Sequence, residues 1–228
     1  MSLQPATDFP LATASTLVQQ VHAELKQRII DGRLEPGAPV RDSVVARQMG
    51  VSRAPVRDAC ALLVQSGLLT KRLNHPFQVR RFSDRDLGEL QLMRWGYELA
   101  AVRHLVGAAI TPVGTDEPIQ RMIEAAKTGD AASSGRADFD FHMALVRSTG
   151  LVQLTERHET LMDQMYLSMQ EFPANVVPTQ AHRHSELLSV LAESQAAKSP
   201  DAILVVVTAH LLTRREDVEG IDLGEPAG

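Results

Sequence analysis

The stretch VSRAPVRDA, residues 51–59, decides the fold of the first third of the chain. Ser52 is a residue type that caps helix N-termini, and Pro55 is tolerated in a first helical turn, where backbone N–H groups have no helical partner. Gly67 is suited to follow a helix C-terminus. The pattern therefore predicts a helix over residues 52–66.

Arg53 and Arg57 lie four positions apart and project from the same face of this predicted helix, with Ser52 at its tip. Arginine binds guanine O6 and N7 through two hydrogen bonds and also binds phosphate, which a helix N-terminus favours as well. The opposite face is apolar and is expected to pack inward; it consists of Val56, Cys60, Leu63 and Val64. Taken singly, each arginine is more typical of a solvated helix surface, so the DNA-binding hypothesis depends on the neighbouring elements.

The segments on both sides complete a winged helix-turn-helix. Apolar residues recur every four positions before it, turn residues separate the short elements, and two extended segments follow. In order, the predicted elements are a helix from residue 15 that is ended by Gly32, a turn over 34–39, a short helix over 42–49 ended by Gly50, the helix over 52–66, and extended segments over 68–72 and 77–82. This order is the layout of a winged helix-turn-helix, which inserts one helix into the DNA major groove.

The charge of the chain is divided unevenly. The 228 residues carry a formal net charge of −5. Residues 1–82 contain 11 Lys and Arg against 6 Asp and Glu, a net of +5, whereas residues 83–228 contain 12 against 22, a net of −10. A basic module joined to an acidic one is consistent with a protein whose first part alone faces a polyanion.

Composition excludes several classes of protein. Hydrophobic residues make up 44% and charged residues 22% of the chain, as in globular proteins. No stretch approaches the roughly 20 apolar residues of a membrane helix, and no basic region of a secretory signal precedes His22. The single cysteine, Cys60, excludes a disulfide framework and is expected to be a small core residue, with a reactive thiol as the alternative. These features predict a cytoplasmic protein.

Beyond Ser83 the pattern predicts helices only. Ser83 and Asp86 form a candidate capping box at the start of a long helix that ends near Gly107. Further helices are predicted at about residues 117–128, 135–148, 151–170, 179–196 and 200–217. The fold class is therefore mainly α, with an N-terminal winged helix-turn-helix (α/β wing) followed by an all-α antiparallel helical bundle.

One constellation in this second part has the composition of a metal site. Asp138 and His142 are four positions apart and share a helix face, while His184 and His210 lie on two later predicted helices. Three imidazoles and one carboxylate that converge in a bundle would suit Zn²⁺ or another first-row divalent cation. The alternative is a solvent-facing Asp–His pair with unrelated surface histidines, and spacing alone does not decide between the two.

Other titratable residues nearby are not expected to be ligands. His182 and Asp140 each lie two positions from a candidate ligand on the same helix and so point elsewhere. His104 and His158 are expected at the surface or behind the ligands.

Residues 17–82 resemble the DNA-binding domain of GntR-family regulators. The resemblance is carried by VSRAPVRDA at residues 51–59 and by SGLL at residues 66–69. It implies that the matching arginines contact operator DNA and that the wing tip reaches the minor groove or the backbone. The candidate DNA-binding residues are then Ser52, Arg53, Arg57, Arg47 and His75.

Two segments depart from the pattern of that family. The sequence RDS at residues 41–43 stands where many members have Ser-Glu-Arg, so one usual DNA-contacting arginine is absent. The predicted wing reads NHPF at residues 74–77, where a glycine is common at the tip. Both departures leave the operator sequence open.

Residues 83–217 resemble the FCD effector-binding domain, which follows the GntR DNA-binding domain in the FadR subfamily. The sequence DFDFH at residues 138–142 fits the DxxFH motif of that domain, and two later histidines fall on its other histidine positions. The resemblance implies that a divalent cation is held by Asp138, His142, His184 and His210. Zn²⁺ is the expected ion, with Ni²⁺ or Mn²⁺ as alternatives.

The resemblance also indicates an effector. A metal with an open coordination position binds carboxylates well, and a nearby arginine adds a second anchor. Arg94 is the effector-binding candidate, and an ion pair with Glu98, four positions on, is the alternative role. The effector is then a small organic acid, such as a hydroxy- or sugar acid.

The whole pattern predicts a ligand-responsive transcriptional repressor that is not an enzyme. Its expected partners are double-stranded operator DNA, a small carboxylate effector and a second copy in a homodimer, with no membrane. The alternative is a metal-dependent hydrolase with an accessory helix-turn-helix, although no HExxH-type signature supplies a general base. The predicted organisation is a flexible arm over residues 1–14, the DNA-binding domain over 15–82, the effector and dimerisation domain over 83–218, and a disordered tail over 219–228.

Overall fold

The computed structural model describes residues 15–171 and 181–212. Within those residues it contains nine α-helices and three short strands. In chain order they are α1 (Ser15–Ile30), β1 (Pro39–Val40), α2 (Asp42–Met49), α3 (Arg53–Gln65), β2 (Leu69–Lys71), β3 (Phe77–Val79), α4 (Asp84–Gly107), α5 (Asp116–Thr128), α6 (Ala131–Arg147), α7 (Val152–Glu171), α8 (Ala181–Ala197) and α9 (Asp201–Leu211). The fold class is that predicted, a winged helix-turn-helix followed by a helical bundle.

Two compact units divide between Arg80 and Arg81. The predicted arm over residues 1–14 and the predicted tail over residues 219–228 lie outside the described residues, as do residues 213–218 at the end of the predicted second domain.

In the first unit, α1 packs against α3 through apolar side chains. The helix α1 contributes every fourth residue to the interface, as the sequence pattern predicts. The fully or almost fully buried side chains of the two helices are Val21, Leu25, Ile29, Val56, Ala59, Cys60 and Leu63. Complete burial of a large apolar side chain is worth about 1.5–3 kcal/mol, so this contact fixes α3 on the unit.

The turn between α2 and α3 depends on Gly50. Its φ of 67° and ψ of 30° lie in the left-handed region, and its backbone N–H donates to the carbonyl of Ala46 at the end of α2. Ser52 follows in an extended conformation at the N-cap position of α3, but its side chain accepts no capping hydrogen bond. The predicted start of α3 is thus right, whereas the predicted capping role of the Ser52 hydroxyl is wrong.

The wing is a three-stranded antiparallel sheet in the order β1-β3-β2. In it Val40 lies opposite Phe77, and Thr70 lies opposite Gln78. The sequence predicts only the β2–β3 hairpin and assigns Pro39 to a turn. A strand of two residues carries no periodic signal, because only its pairing with the distant β3 defines it.

The helical unit begins with the predicted capping box. Ser83 accepts a hydrogen bond from the Asp86 backbone N–H, and the Asp86 carboxylate accepts one from the Ser83 backbone N–H at 2.8 Å. The helices enclose one apolar core whose largest fully buried side chains are Leu105, Met122, Phe141, Leu145, Leu187, Leu191 and Ile203. Among the described residues, no helix is both long and apolar enough to span a membrane.

The helix α6 begins earlier than the sequence predicts. Its first residue is Ala131 rather than residue 135, because Asp130 caps it and accepts a hydrogen bond from the Ser133 backbone N–H at 3.0 Å. The extra turn precedes the stretch with Asp138 and His142, which both lie within α6 as predicted.

Candidate nucleic-acid interface and metal centre

The exposed end of α3 carries the two arginines singled out in the sequence. The side chains of Arg53 and Arg57 are 63% and 66% exposed, and Ser52 beside them is also exposed. The N-terminal N–H groups of α3 lie at the same end, because Arg53 is its first residue. This end therefore presents arginine side chains and a helix N-terminus together, a combination that favours phosphate and base-edge contacts.

Asp42 at the start of α2 brings both arginines together, which sequence reasoning missed. Nη2 of Arg53 lies 3.1 Å and 3.0 Å from the two carboxylate oxygens of Asp42, and Nε of Arg57 lies 3.6 Å from one of them. Burial raises the pKa of Asp42, but the hydrogen bonds from Arg53 and the Ser43 backbone N–H outweigh it and leave that pKa below its usual value. The contact spans 11 residues, and only the helix-turn-helix geometry brings its partners into reach.

Two further candidates lie elsewhere on this unit. Arg47 is exposed in the last turn of α2. His75 is exposed between β2 and β3, and its backbone carbonyl accepts a hydrogen bond from the Lys71 ammonium group. The Lys71 ammonium group also lies 4.6 Å from the ring centre of Phe77, which fixes it at the base of the wing.

In the helical unit, Asp138, His142, His184 and His210 converge from α6, α8 and α9. Each offers one ligand atom, and these four atoms lie within 4.8 Å of one another. The first three residues are buried and His210 is partly buried. The structure thus brings together all four residues of the predicted metal site.

Two of three separations between possible ligand atoms are close to those around a single cation, and the third is longer. Asp138 Oδ1 lies 2.9 Å from His184 Nε2 and 3.6 Å from His142 Nε2, and His142 Nε2 lies 3.2 Å from His210 Nε2. Atoms about 2.1 Å from a common ion lie about 3.0–3.4 Å apart at octahedral or tetrahedral angles. The donor set of three imidazoles and a carboxylate suits a first-row divalent cation.

Glu98 on α4 is fully buried and orients His142. Its Oε2 lies 2.6 Å from His142 Nδ1, and its Oε1 accepts a hydrogen bond from Arg94 Nε at 2.8 Å and lies 3.4 Å from His158 Nε2. A carboxylate only accepts hydrogen bonds, so this contact favours the neutral form of His142 that has its proton on Nδ1, in which Nε2 faces the other candidate ligands. Burial raises the pKa of Glu98, but His142 and Arg94 hold it well below its ordinary value.

Arg94 forms the ion pair with Glu98 that its spacing in the sequence offered as an alternative role. Besides its bond to Glu98, Nη2 of Arg94 lies 3.7 Å from Asp138 Oδ2, and the residue is 6% exposed. It therefore places a buried positive charge between the two buried carboxylates of the site.

The imidazoles differ in their readiness to take up a proton. Burial, together with the neighbouring His142 and His184, lowers the pKa of His210 to about 2, so its ring is neutral at pH 7. Burial and Arg94 lower the pKa of His142, but Glu98 and Asp138 outweigh them and raise it. A neutral His210 has a nitrogen lone pair available to a cation.

The other titratable residues considered from the sequence lie outside the cluster of four candidate ligands. His182 is exposed, and the exposed Asp140 pairs instead with Arg121 at 2.7 Å. His158 is fully buried on α7 behind Glu98, as one of its two predicted roles requires. Cys60 lies in the core, where burial raises the pKa of its thiol to about 11.

Comparison with known proteins identifies both units. Residues 17–79 match the family model of bacterial regulatory proteins of the gntR family, and residues 98–212 match the FCD domain. The second match alone spans half of the chain.

Individual relatives are also regulators. The chain is 28% identical over 217 residues to a probable D-xylose utilization operon transcriptional repressor of Paenarthrobacter nicotinovorans, covering 92% of this chain and 94% of the relative. It is 30% identical over 141 residues to the gluconate operon transcriptional repressor of Bacillus licheniformis, covering 60% and 57% of the two chains. Neither the domain models nor these relatives support the alternative hydrolase.

The fold is also found in solved structures. A putative transcriptional regulator GntR from Rhodococcus sp. RHA1 superposes with a TM-score of 0.75 at 22% identity, covering 90% of this chain and 99% of that one. With the two domain matches, this chain belongs to the GntR family of bacterial regulatory proteins and carries an FCD domain, so it is a transcriptional regulator and not an enzyme.

Proposed function

We propose that this regulator is a repressor whose operator affinity depends on a divalent cation and a small carboxylate effector in its helical domain. The observation that carries the ligand-dependent part is the convergence of four ligand atoms within 4.8 Å, with Glu98 fixing one of them. Four protein ligands would leave an octahedral cation with open positions for an effector.

Operator DNA binds at the exposed end of α3. Arg53 and Arg57 are the main contacts, with Ser52 beside them, Arg47 on the preceding helix and His75 in the wing as further contacts. The exposure of the arginines and the net charge of +5 over residues 1–82 support this assignment. A homodimer would place two such helices on half-sites about one DNA turn apart.

The cation is bound by the four converging side chains, and Zn²⁺ is the expected ion, with Ni²⁺ or Mn²⁺ as alternatives. When bound, it supplies a Lewis-acidic centre that a carboxylate can coordinate. Glu98 holds the ring of His142, and Arg94 balances the charge of Glu98 and Asp138. Phe141 of the apolar core packs against the rings of His142 and His184, with ring centroids 5.2 Å and 4.6 Å away.

The effector is a small organic acid, with a hydroxy- or sugar acid as the expected class. The guanidinium group of Arg94 is its second anchor, since Arg94 has N–H donors beyond the one that Glu98 accepts. One relative is a gluconate operon transcriptional repressor, and gluconate is a sugar acid. Residues of α4 connect the two functions along the chain, because α4 carries Arg94 and begins directly after the DNA-binding unit.

The DNA-binding assignment is tested with the double variant Arg53→Ala, Arg57→Ala. Binding is measured by fluorescence anisotropy on a duplex that the wild-type protein has enriched from random sequences. Each arginine contact is worth about 1–3 kcal/mol, so we expect affinity to fall by about 100-fold or more. The control Arg28→Ala, Arg33→Ala removes the same charge from two arginines that pair with Glu24 and Asp31. If the two double variants bind the duplex with equal affinity, the assignment is refuted.

The metal assignment is tested with His184→Ala and the control His182→Ala. Both histidines lie on α8, but only His184 joins the cluster, whereas His182 is exposed. After loading and dialysis, elemental analysis should find about one divalent ion per chain in the wild type and in His182→Ala, and none in His184→Ala. Retention of the ion by His184→Ala at unchanged affinity would contradict the assignment.

A further inference from the structure

The carboxylate of Asp42 lies in the middle of the DNA-binding surface. Its side chain is only 18% exposed, whereas the two arginines that it contacts are largely exposed. It also accepts a hydrogen bond from the Ser43 backbone N–H at 2.8 Å, which fixes it at the start of α2. A fixed negative charge therefore stands between two side chains that are proposed to bind a polyanion.

The geometry leaves both arginines able to bind DNA without leaving Asp42. Arg53 uses Nη2 for the carboxylate and Arg57 offers Nε, so each guanidinium group keeps further N–H donors. Because the carboxylate holds both groups, less side-chain freedom is lost when they bind.

The two kinds of DNA acceptor respond differently to this carboxylate. A phosphate carries a negative charge and is repelled by Asp42 at close range, whereas the O6/N7 edge of guanine carries no net charge. The same carboxylate therefore weakens arginine–phosphate contacts more than arginine–guanine contacts. Phosphate contacts supply most of the affinity for non-operator DNA.

We propose that Asp42 is a positioning and specificity residue of the DNA-binding surface: it orients Arg53 and Arg57 toward base edges and lowers their affinity for phosphates of non-operator DNA. This inference rests on the proposed function, in that the two arginines must contact DNA. Asp42, the first residue of α2, then helps the protein to discriminate between DNA sequences by acting on the arginines of α3.

The test compares Asp42→Asn with Asp58→Asn on two duplexes, one enriched by the wild-type protein and one of random sequence. Asp58→Asn removes the same charge from α3, and no ion pair joins Asp58 to either arginine within the part of the chain that the structure describes. We expect Asp42→Asn to bind the random duplex about 5–10-fold more tightly, with a salt dependence steeper by about one phosphate contact. The ratio of the two affinities should fall about 10-fold for Asp42→Asn and stay unchanged for Asp58→Asn.

Asp42→Ser is the second variant, because serine also suits a helix start and carries no charge; it should lower the ratio to the same extent. In the Arg53→Ala, Arg57→Ala background, Asp42→Asn should no longer change the ratio, whereas a merely structural effect of Asp42 would persist. A ratio that stays at the wild-type value in both Asp42 variants, or that changes equally with and without the arginines, would overturn the inference.

Different outcomes distinguish an error in the proposed DNA contacts from an error in the role of Asp42. If the double alanine variant binds both duplexes as the wild type does, then the proposed DNA contacts themselves are wrong. If that variant binds weakly but the Asp42 variants keep the wild-type ratio, then only the role of Asp42 is wrong.

Discussion

Oε2 of Glu98 lies 2.6 Å from Nδ1 of His142, and both side chains are fully buried. This contact decides which imidazole nitrogen of His142 is available to a cation, since the proton stays on the side of the carboxylate. Glu98 also contacts Arg94 and His158 through its other oxygen, so one carboxylate joins three buried side chains. A residue that binds no metal itself thus organises the candidate metal centre.

We predict that Glu98→Gln lowers metal affinity by about 10–100-fold, the usual cost of losing a group that orients a ligand. The same change removes the nearer of the two buried carboxylates that pair with Arg94, and breaking a buried ion pair costs about 3–5 kcal/mol of stability. Competition with a chromophoric chelator measures the first effect, and denaturant unfolding measures the second.

Glu89→Gln is the matched control for this prediction. Arg85 and Glu89 form an ion pair with the same spacing and order on the same helix, but their side chains are 88% and 64% exposed, against 8% and 0% for Arg94 and Glu98. Exposed pairs contribute little, so the control should keep both metal affinity and stability. Equal losses in the two variants would contradict the assigned role of Glu98.

We predict that Arg94→Lys keeps the metal but loses about 10-fold in affinity for the carboxylate effector. Lysine retains the charge that balances Glu98 and Asp138, yet it lacks the planar fork that binds a carboxylate through two bonds. The readout is the rise in melting temperature of the metal-loaded protein across a panel of organic acids. Arg85→Lys is the control and should keep the wild-type affinity for the effector. If Arg94→Lys also keeps that affinity, then Arg94 serves only in the ion pair with Glu98.

We predict that the thiol of Cys60 is unreactive in the folded protein. Its pKa is raised to about 11, chiefly by burial and further by the charge of Asp42, so at pH 8 only about one thiol in a thousand is ionised. Labelling with a chromogenic disulfide should be at least about 100-fold slower in buffer than in guanidinium chloride. The chain has one cysteine, so labelling of the native protein at the unfolded rate would identify Cys60 as a reactive thiol.

We predict opposite effects of alanine at two glycines. Gly50→Ala should destabilise the protein by about 1 kcal/mol, because φ is 67° there, although a Cβ would meet no atom within 4 Å. Gly88→Ala, in the second turn of α4 and equally free of contacts, should stabilise it by about 0.5–1 kcal/mol. Denaturant unfolding followed by circular dichroism measures both, and a loss of stability in Gly88→Ala equal to that in Gly50→Ala would remove the backbone explanation.

Much of the fold is encoded in local signals. The turn glycine Gly50, the proline in the first turn of α3 and the four-residue apolar spacing of α1 each act within a few residues, and the elements that they predict are present. The strand β1 was missed because its pairing with β3 is a long-range property.

In the candidate sites, too, local features can be predicted from the sequence and long-range contacts cannot. The spacing of Asp138 and His142 on one helix is readable from the sequence, and the two later histidines were matched by motif. The contact of Asp42 with Arg53 and that of His158 with Glu98 join different helices, and neither has a periodic or motif signal. Only the packing of α2 on α3, and of α4 against α7, reveals them.

The most direct test of coupling between the buried cluster and DNA binding measures operator affinity as the site is filled. An organic acid that raises the melting temperature of the metal-loaded protein is added to the wild type, to His182→Ala and to His184→Ala, each bound to the enriched duplex. We expect the acid to change the dissociation constant for the duplex about 10-fold or more in the first two proteins and to leave it unchanged in His184→Ala. An equal response of His184→Ala and His182→Ala would contradict the claim that the buried cluster couples the effector to DNA binding.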